Sequence, residues 1–445
     1  MAIVQAPPTV RTHAPQPGDA RDTGIDMVRA LCVVGVVLLH AIMVGVTITD
    51  GAPVFDNASV GTWWIVPLSW ILQVMPLFFV IGGFSGMLAY RRSRQRGGTA
   101  RSFVATRIHR LLRPAVVTVA IVGAVLLILG MLGTPAELIV VAGFRYGQPL
   151  WFLAVFLLCQ ALLPALIAAH ERAPMRTLTV LVAAAIAVDA ARALTGIDAL
   201  GFANLAFVWL AVQQIGFFLA DGRIDALSRR VRIAAGIVAV AALLFTFATG
   251  VYSPDLIENI NPPTAALLLV AVAHTSVMSL HREWLIALSR RPPAAAFRAF
   301  VTPRTMTIYL WHMPVLLAMA GITAIVALSQ GSELPAVDSI EWWFGRPVWL
   351  VTALGCTALV ALVFSRIEQT PAPELARSSL RVVVSTLSGL VGIVLLLAFG
   401  TTVLTAMLAV GLLVLALHLA RREGAPLVAL RGRARTAQTR GASAA

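Results

Sequence analysis

The sequence contains no lysine; all 34 of its Lys-plus-Arg residues are arginine. Charge is scarce altogether: 12% of the 445 residues are charged, against ~25% in ordinary soluble domains. With 59% hydrophobic residues, such a chain has too little polar surface to cover itself in water. A soluble fold is thereby excluded, and lipid must act as solvent for much of its area. Cysteine is nearly missing too. Cys32, Cys159 and Cys356 all fall inside apolar stretches, which rules out a disulfide framework and reads as small buried hydrophobes. No metal-ligand spacing is present, so no metal site is expected. The net charge of +14 lacks the basic–aromatic interleaving of nucleic-acid modules, so no nucleic-acid partner is expected. Neither an internal repeat nor a soluble domain can be traced. Alanine, valine and arginine usage without lysine points to a GC-rich bacterial source.

What the chain does have is apolar runs of spanning length, ~20 residues for a ~30 Å hydrocarbon layer. Spans are placed near 27–47, 66–90, 114–133, 149–169, 177–193, 205–220, 233–249, 265–280, 306–328 and 347–365. A further apolar stretch, 382–420, is long enough for two helices turned near Gly400. The expected fold is an all-α integral membrane protein of about ten transmembrane helices plus a C-terminal two-helix hairpin. Four segments follow: a proline-bearing disordered tail over 1–23, a ten-span membrane domain over 24–370, the hairpin over 371–420 and a basic tail over 421–445.

Sidedness is read from arginine, because cytoplasmic loops retain positive charge. With the N-terminus inside and spans alternating, 30 of the 34 arginines fall in inner segments. The outer segments keep Arg145, Arg192 and Arg346 and are otherwise acidic, with Asp50, Asp56, Glu137, Asp198, Asp255, Glu258, Glu333, Asp338 and Glu341. The expected location is the bacterial cytoplasmic membrane, multi-pass, with both termini cytoplasmic.

Ionisable groups inside a span are costly, so each is a candidate for function. The first span offers Asp26, Arg29 and His40 in GIDMVRALCVVGVVLLH. The step from Arg29 to His40 is three helical turns plus ~20°, and Asp26 is one turn from Arg29, so the three share a face. His40 then lies ~16 Å above Arg29, near mid-depth, as either a helix-packing hydrogen bonder or a proton-handling group. In the first inner loop, Arg107, Arg110 and Arg113 recur every three residues and read as an arginine ridge suited to phosphate. The neighbouring Arg91–Arg96 cluster reads as a positive-inside anchor. In TIYLWHMPV, Tyr309 and His312 stand three residues apart near the inner end of a span. His274 is intramembrane, and Gln213 and Gln214 read as helix contacts. His13, His109, His170, His281 and His418 lie in tails, loops or span ends, without a role. These residues leave two readings open: an enzyme using a phosphate-bearing cytoplasmic donor, or a proton-coupled transporter with His40 and Asp26 as a relay. The paired inverted repeats of many carriers are not visible.

Taken together, the segments DMVRALCVVGVVLLH, PLFFVIGGFSG, FVATRIHRLLRP, QPLWFLAVFLL and TIYLWHMPV, in that order over roughly 22–370, resemble the membrane-bound acyltransferase-3 family of bacterial envelope and natural-product O-acyltransferases. Gly82-Gly83-Phe84 stands where many members have Ser-Gly-Phe, Arg113 intrudes beside Pro114, and the 382–420 hairpin is an addition. The resemblance implies transfer of an acyl group from acyl-CoA, acetyl-CoA first, to a hydroxyl of an envelope glycan, glycolipid or secondary metabolite. It implies His40 as general base with Arg29 and Asp26 beside it, and donor phosphates on Arg107, Arg110 and Arg113. Trp151, Tyr309 and His312 are implied in substrate binding. The absence of a fused esterase-like domain in these residues favours a small-molecule or partner-delivered acceptor.

Overall fold

The computed structural model of the chain describes residues 22–370, 376 and 378–421. The tails expected over 1–23 and 421–445 lie outside them, apart from Asp22, Thr23 and Arg421. In chain order, α1 (Thr23–Met43) is followed by β1 (Val44–Thr49), β2 (Ala52–Asn57), α2 (Ile65–Leu72) and α3 (Met75–Gln95). Next come α4 (Ala100–Met131), α5 (Ala136–Gly147), α6 (Trp151–Arg172), α7 (Pro174–Thr195) and α8 (Asn204–Ala220). The chain continues through α9 (Arg229–Ala248), α10 (Ala266–Leu280), α11 (Arg282–Ser289), α12 (Pro292–Val301) and α13 (Thr305–Gln330). It ends with α14 (Ile340–Gln369), α15 (Ser379–Phe399) and α16 (Val403–Leu419).

Among the described residues ten helical segments are long and apolar enough to cross a membrane, and α10 and α16 are shorter apolar helices. The protein is an all-α multi-pass membrane protein. The count differs from the sequence reading in detail: the eighth expected span is the 15-residue α10, and the hairpin pairs one long helix with one short one. Spans expected as single runs are also jointed. The second is broken at Gln73 and Val74 just before Pro76, and the fourth and ninth are preceded by α5 and α12.

The first span is corrected at its C-terminal end. Asp22 caps α1 by accepting the Ile25 N–H at 3.0 Å, but the helix stops at Met43 instead of running to 47. The β-branched run VGVTIT favours extended backbone, and it pairs antiparallel with Ala52–Asn57 in register Val44↔Asn57. The turn at Asp50 and Gly51 has left-handed φ of 51° and 73°, the hairpin-matching geometry. Hydropathy alone cannot separate such a ribbon from the end of a helix.

Helix α8 sits at the centre, packed on α3, whereas α7 and α9 face outward with few buried residues. The α3–α8 crossing depends on glycine at both contact points. A Cβ on Gly83 would lie 2.1 Å from the Gln213 carbonyl oxygen, and one on Gly216 would lie 2.0 Å from the Val80 carbonyl oxygen. Close approach through small residues is how helices associate where the hydrophobic effect is absent. Gly83→Ala and Gly216→Ala are each expected to destabilise the protein by about 1–3 kcal/mol. Both should lower the midpoint of thermal unfolding in detergent; an unchanged midpoint in either would contradict the crossing.

Contacts among the connections sort them into two ends. Arg91 pairs with Asp221 and Glu171, Arg282 pairs with Asp22 and Asp225, and Arg101 reaches Ser379, all between segments from the arginine-rich set. At the acidic end Arg145 pairs with Asp56 at 3.3 Å and Arg192 with Asp198 at 3.0 Å. The Arg346 guanidinium lies 3.7 Å from the Trp342 ring centre and donates to the Val44 carbonyl. The hairpin of α15 and α16 turns at Gly400, as expected, and packs on α4 and α6.

Candidate active site

Two cavities approach each other inside the bundle, one from each end. The first encloses about 110 Å³. Val33, Val37 and His40 of α1, Phe78, Trp151 and Tyr309 line it, and it reaches Ile257 and Ile260 in the acidic-end connection between α9 and α10. The second, about 610 Å³, is lined by Arg29, Ser85, Arg107, Arg110, Arg298 and Glu368 among others. Phe78 and Thr305 border both.

The continuous α1 helix carries His40 to the first cavity and Arg29 to the second, the vertical separation its spacing requires. Asp26, 4% exposed, accepts from Arg29 Nη1 at 2.9 Å, while Arg29 Nη2 donates to the Ser85 hydroxyl. The guanidinium is thus held from two helices. His40 Nδ1 donates to the Val36 carbonyl at 2.8 Å, which fixes the neutral tautomer with its lone pair on Nε2. A partly exposed imidazole on a cavity wall with Nε2 unprotonated can accept a proton.

Tyr309 lines the cavity beside His40, and its hydroxyl donates to the Pro149 carbonyl at 2.7 Å. Trp151 forms another wall and stacks on Trp209 at 5.5 Å between ring centres. The Phe-Phe segment and the Trp-Phe-Leu segment meet here, with Phe78 edge-on to Phe152 at 5.3 Å. His312 does not line either cavity. It is fully buried behind His40, the two rings 5.0 Å apart at 63°. Its Nδ1 donates to the Tyr309 carbonyl, and Nε2 has no hydrogen-bond partner among the described residues.

The arginine ridge divides. Arg107 and Arg110 line the larger cavity; Arg113 does not, and it lies near Arg421 instead. Each three-residue step falls ~60° short of a full turn, so Arg113 stands ~120° round the helix from Arg107. The helix also begins at Ala100 and runs unbroken through Pro114, where the sequence reading began the span at the proline. Arg298, on α12, takes the place expected of Arg113, and its Nε is buried without a partner among the described residues. Among the described residues Glu368 is the only carboxylate lining this cavity, and it accepts from the backbone N–H groups of Met306 and Thr307 and from the Thr307 hydroxyl. Four arginines facing one carboxylate, with an orphaned guanidinium N–H, suit a polyanionic phosphate.

Ser85, Arg298 and Glu368 were not singled out in the sequence. Ser85 follows the Gly-Gly-Phe element directly, whereas Arg298 and Glu368 look like ordinary inner-loop charges and only the fold brings them in. One histidine is corrected. His109 lies buried within α4 rather than in a loop. His170 is buried at the arginine-rich end, where its Nε2 contacts Asp221 at 2.9 Å and its Nδ1 accepts from Gln214 at 2.7 Å. Burial would raise the Asp221 pKa, but hydrogen bonds from His170 and Arg91 outweigh it and hold the carboxyl below its usual value. This clamp joins the ends of α3, α6 and α8. His274 touches neither cavity, and His13 lies outside the described residues. Among the described residues no group of His, Cys, Asp and Glu could hold a metal ion.

No curated protein and no solved structure matches the chain. A family model, that of the acyltransferase domain of the acyltransferase-3 family, matches residues 22–366, from the cap of α1 to near the end of α14. The chain belongs to this family and is a membrane-embedded acyltransferase.

Proposed function

We propose that this acyltransferase takes its acyl group from acyl-CoA, acetyl-CoA first, on the cytoplasmic side and transfers it to a hydroxyl. The acceptor would be an envelope glycan, a glycolipid or a secondary metabolite, entering from the outer side. The arginine-rich end is then cytoplasmic, with both termini there, in the cytoplasmic membrane of a bacterium. The observation that carries the reading is the meeting of the two cavities at Phe78 and Thr305, with His40 on the apolar one and the arginines on the other.

Donor phosphates would rest on Arg107, Arg110 and Arg298, leaving the pantetheine arm directed past Arg29 towards Phe78. His40 Nε2 takes the proton of the acceptor hydroxyl as its oxygen attacks the thioester carbonyl. A C–O bond forms, the C–S bond breaks, and the proton passes to the departing thiolate. His312 backs the His40 ring, while Trp151 and Tyr309 shape the space around the reacting groups. Asp26 and Ser85 position Arg29. A cavity of about 110 Å³ fits a short acyl group; an apolar cavity of ~150 Å³ holds benzene.

The test is release of CoA from labelled acetyl-CoA by purified protein in detergent, with water as a surrogate acceptor. Release above that of a protein-free control is expected. Neither release nor acyl-CoA binding by folded protein would sink the assignment of the donor.

A further inference from the structure

The α15 helix lies beyond residue 366, outside the segment that matches the family, and it builds a groove that the acyltransferase chemistry does not use. This groove, about 590 Å³, runs between α4, α6 and α15, with Val104, Leu158, Ala161, Val382 and Leu390 along its walls. It shares no lining residue with the two cavities of the active site. From Ser379 to Leu390 it follows α15 for eleven helical steps, ~16 Å. That is about half of the ~30 Å hydrocarbon layer, the depth of one leaflet.

Its arginine-rich end is polar. Tyr90, Arg101 and Ser379 border it, and Arg101 donates to the Ser379 hydroxyl at 3.5 Å. Across the turn between α3 and α4, a second hollow of about 470 Å³ is lined by Arg92, Ser93 and Arg96. Among the described residues neither hollow has a carboxylate in its lining. An apolar channel one leaflet deep that ends at Arg101, with Arg92 and Arg96 in the hollow across the turn, has the charge and length of one ligand class. Basic pockets between transmembrane helices bind anionic headgroups, with ~1 kcal/mol of attraction per arginine near the surface, a ~fivefold gain in affinity.

We propose that this groove is a binding site for an anionic glycerophospholipid of the leaflet at the arginine-rich face. One acyl chain lies against α15, and the phosphate is held among Arg92, Arg96 and Arg101. The hairpin, whose role the sequence left open, supplies one wall of that site.

The test uses the full chain in detergent, offered equal amounts of phosphatidylglycerol and phosphatidylcholine, with lipid retention read by native mass spectrometry. Wild-type protein is expected to retain phosphatidylglycerol at least ~fivefold over phosphatidylcholine. The R96A/R101A double variant should lose that preference, because it removes charge and leaves the channel. The L387W variant, which fills the groove from an exposed position on α15, should lower retention of both lipids. All three proteins should remain monodisperse and release CoA at the wild-type rate. Equal retention of the two lipids by wild-type protein overturns the proposal. So does a preference that survives R96A/R101A, or full retention by L387W, which would reduce the arginines to a general surface charge.

Discussion

His40→Ala protein is expected to transfer acyl groups ~10²–10⁴-fold more slowly than wild type while folding normally. The size follows from the proposed role: a positioned general base contributes about that factor, and among the described residues no second imidazole or carboxylate lines the apolar cavity. His312 cannot substitute, since it lies outside that lining, buried behind the His40 ring. Folding should survive because, among the described residues, the imidazole's one hydrogen bond is to the Val36 carbonyl, which also serves the α1 backbone. Normal turnover by a monodisperse His40→Ala protein, measured as initial rate with labelled acetyl-CoA, would remove His40 from the reaction. His312→Ala should act differently. It removes the ring packed edge-on against His40, so kcat should fall with KM for the donor little changed.

How much of this was legible beforehand depends on the range of the interaction concerned. The α1 set was readable because its geometry is local: helical periodicity alone aligns Asp26, Arg29 and His40, and the Asp26–Arg29 pair is present at 2.9 Å. The division of loops into two ends was readable because arginine and acidic residues are segregated along the chain. Helix boundaries were less so, since a β-branched run after Met43 and a proline inside α4 leave hydropathy almost unchanged. Tertiary partners could not be read at all. Nothing near Arg298 in the sequence announces that it replaces Arg113 in the basic cavity, because that exchange depends on how the fold brings α12 to the cavity that α4 lines. The Gly83–Gly216 crossing was likewise invisible, although a Gly-Gly pair had been noted as a departure from Ser-Gly. Gly82 has an ordinary side-chain neighbour in Phe156, whereas Gly83 faces backbone, so only the second position is closed to a larger residue.

Arg107→Ala is expected to raise KM for acyl-CoA by ~10–100-fold, with kcat changed far less. A hydrogen bond between charged groups contributes about 1.5–3 kcal/mol, and each 1.4 kcal/mol is tenfold in affinity. The effect falls on KM because the phosphates sit far from the thioester and are held equally in ground and transition states. Arg107 is the informative position. It lines the basic cavity, and its guanidinium lies 4.8 Å from the centre of the Phe103 ring on the same helix, so its aim is constrained before any ligand arrives. Arg113→Ala should stay within about twofold of wild type, since that residue faces away from the cavity, and a twofold change is under ~0.5 kcal/mol. The sharper comparison replaces the donor rather than the protein. Acyl-pantetheine carries the thioester without the nucleotide phosphates, so wild type and Arg107→Ala should use it with the same KM. An equal rise in KM for both donors would mean that Arg107 supports the cavity rather than the phosphates, and the basic cavity would lose its assignment as the donor site.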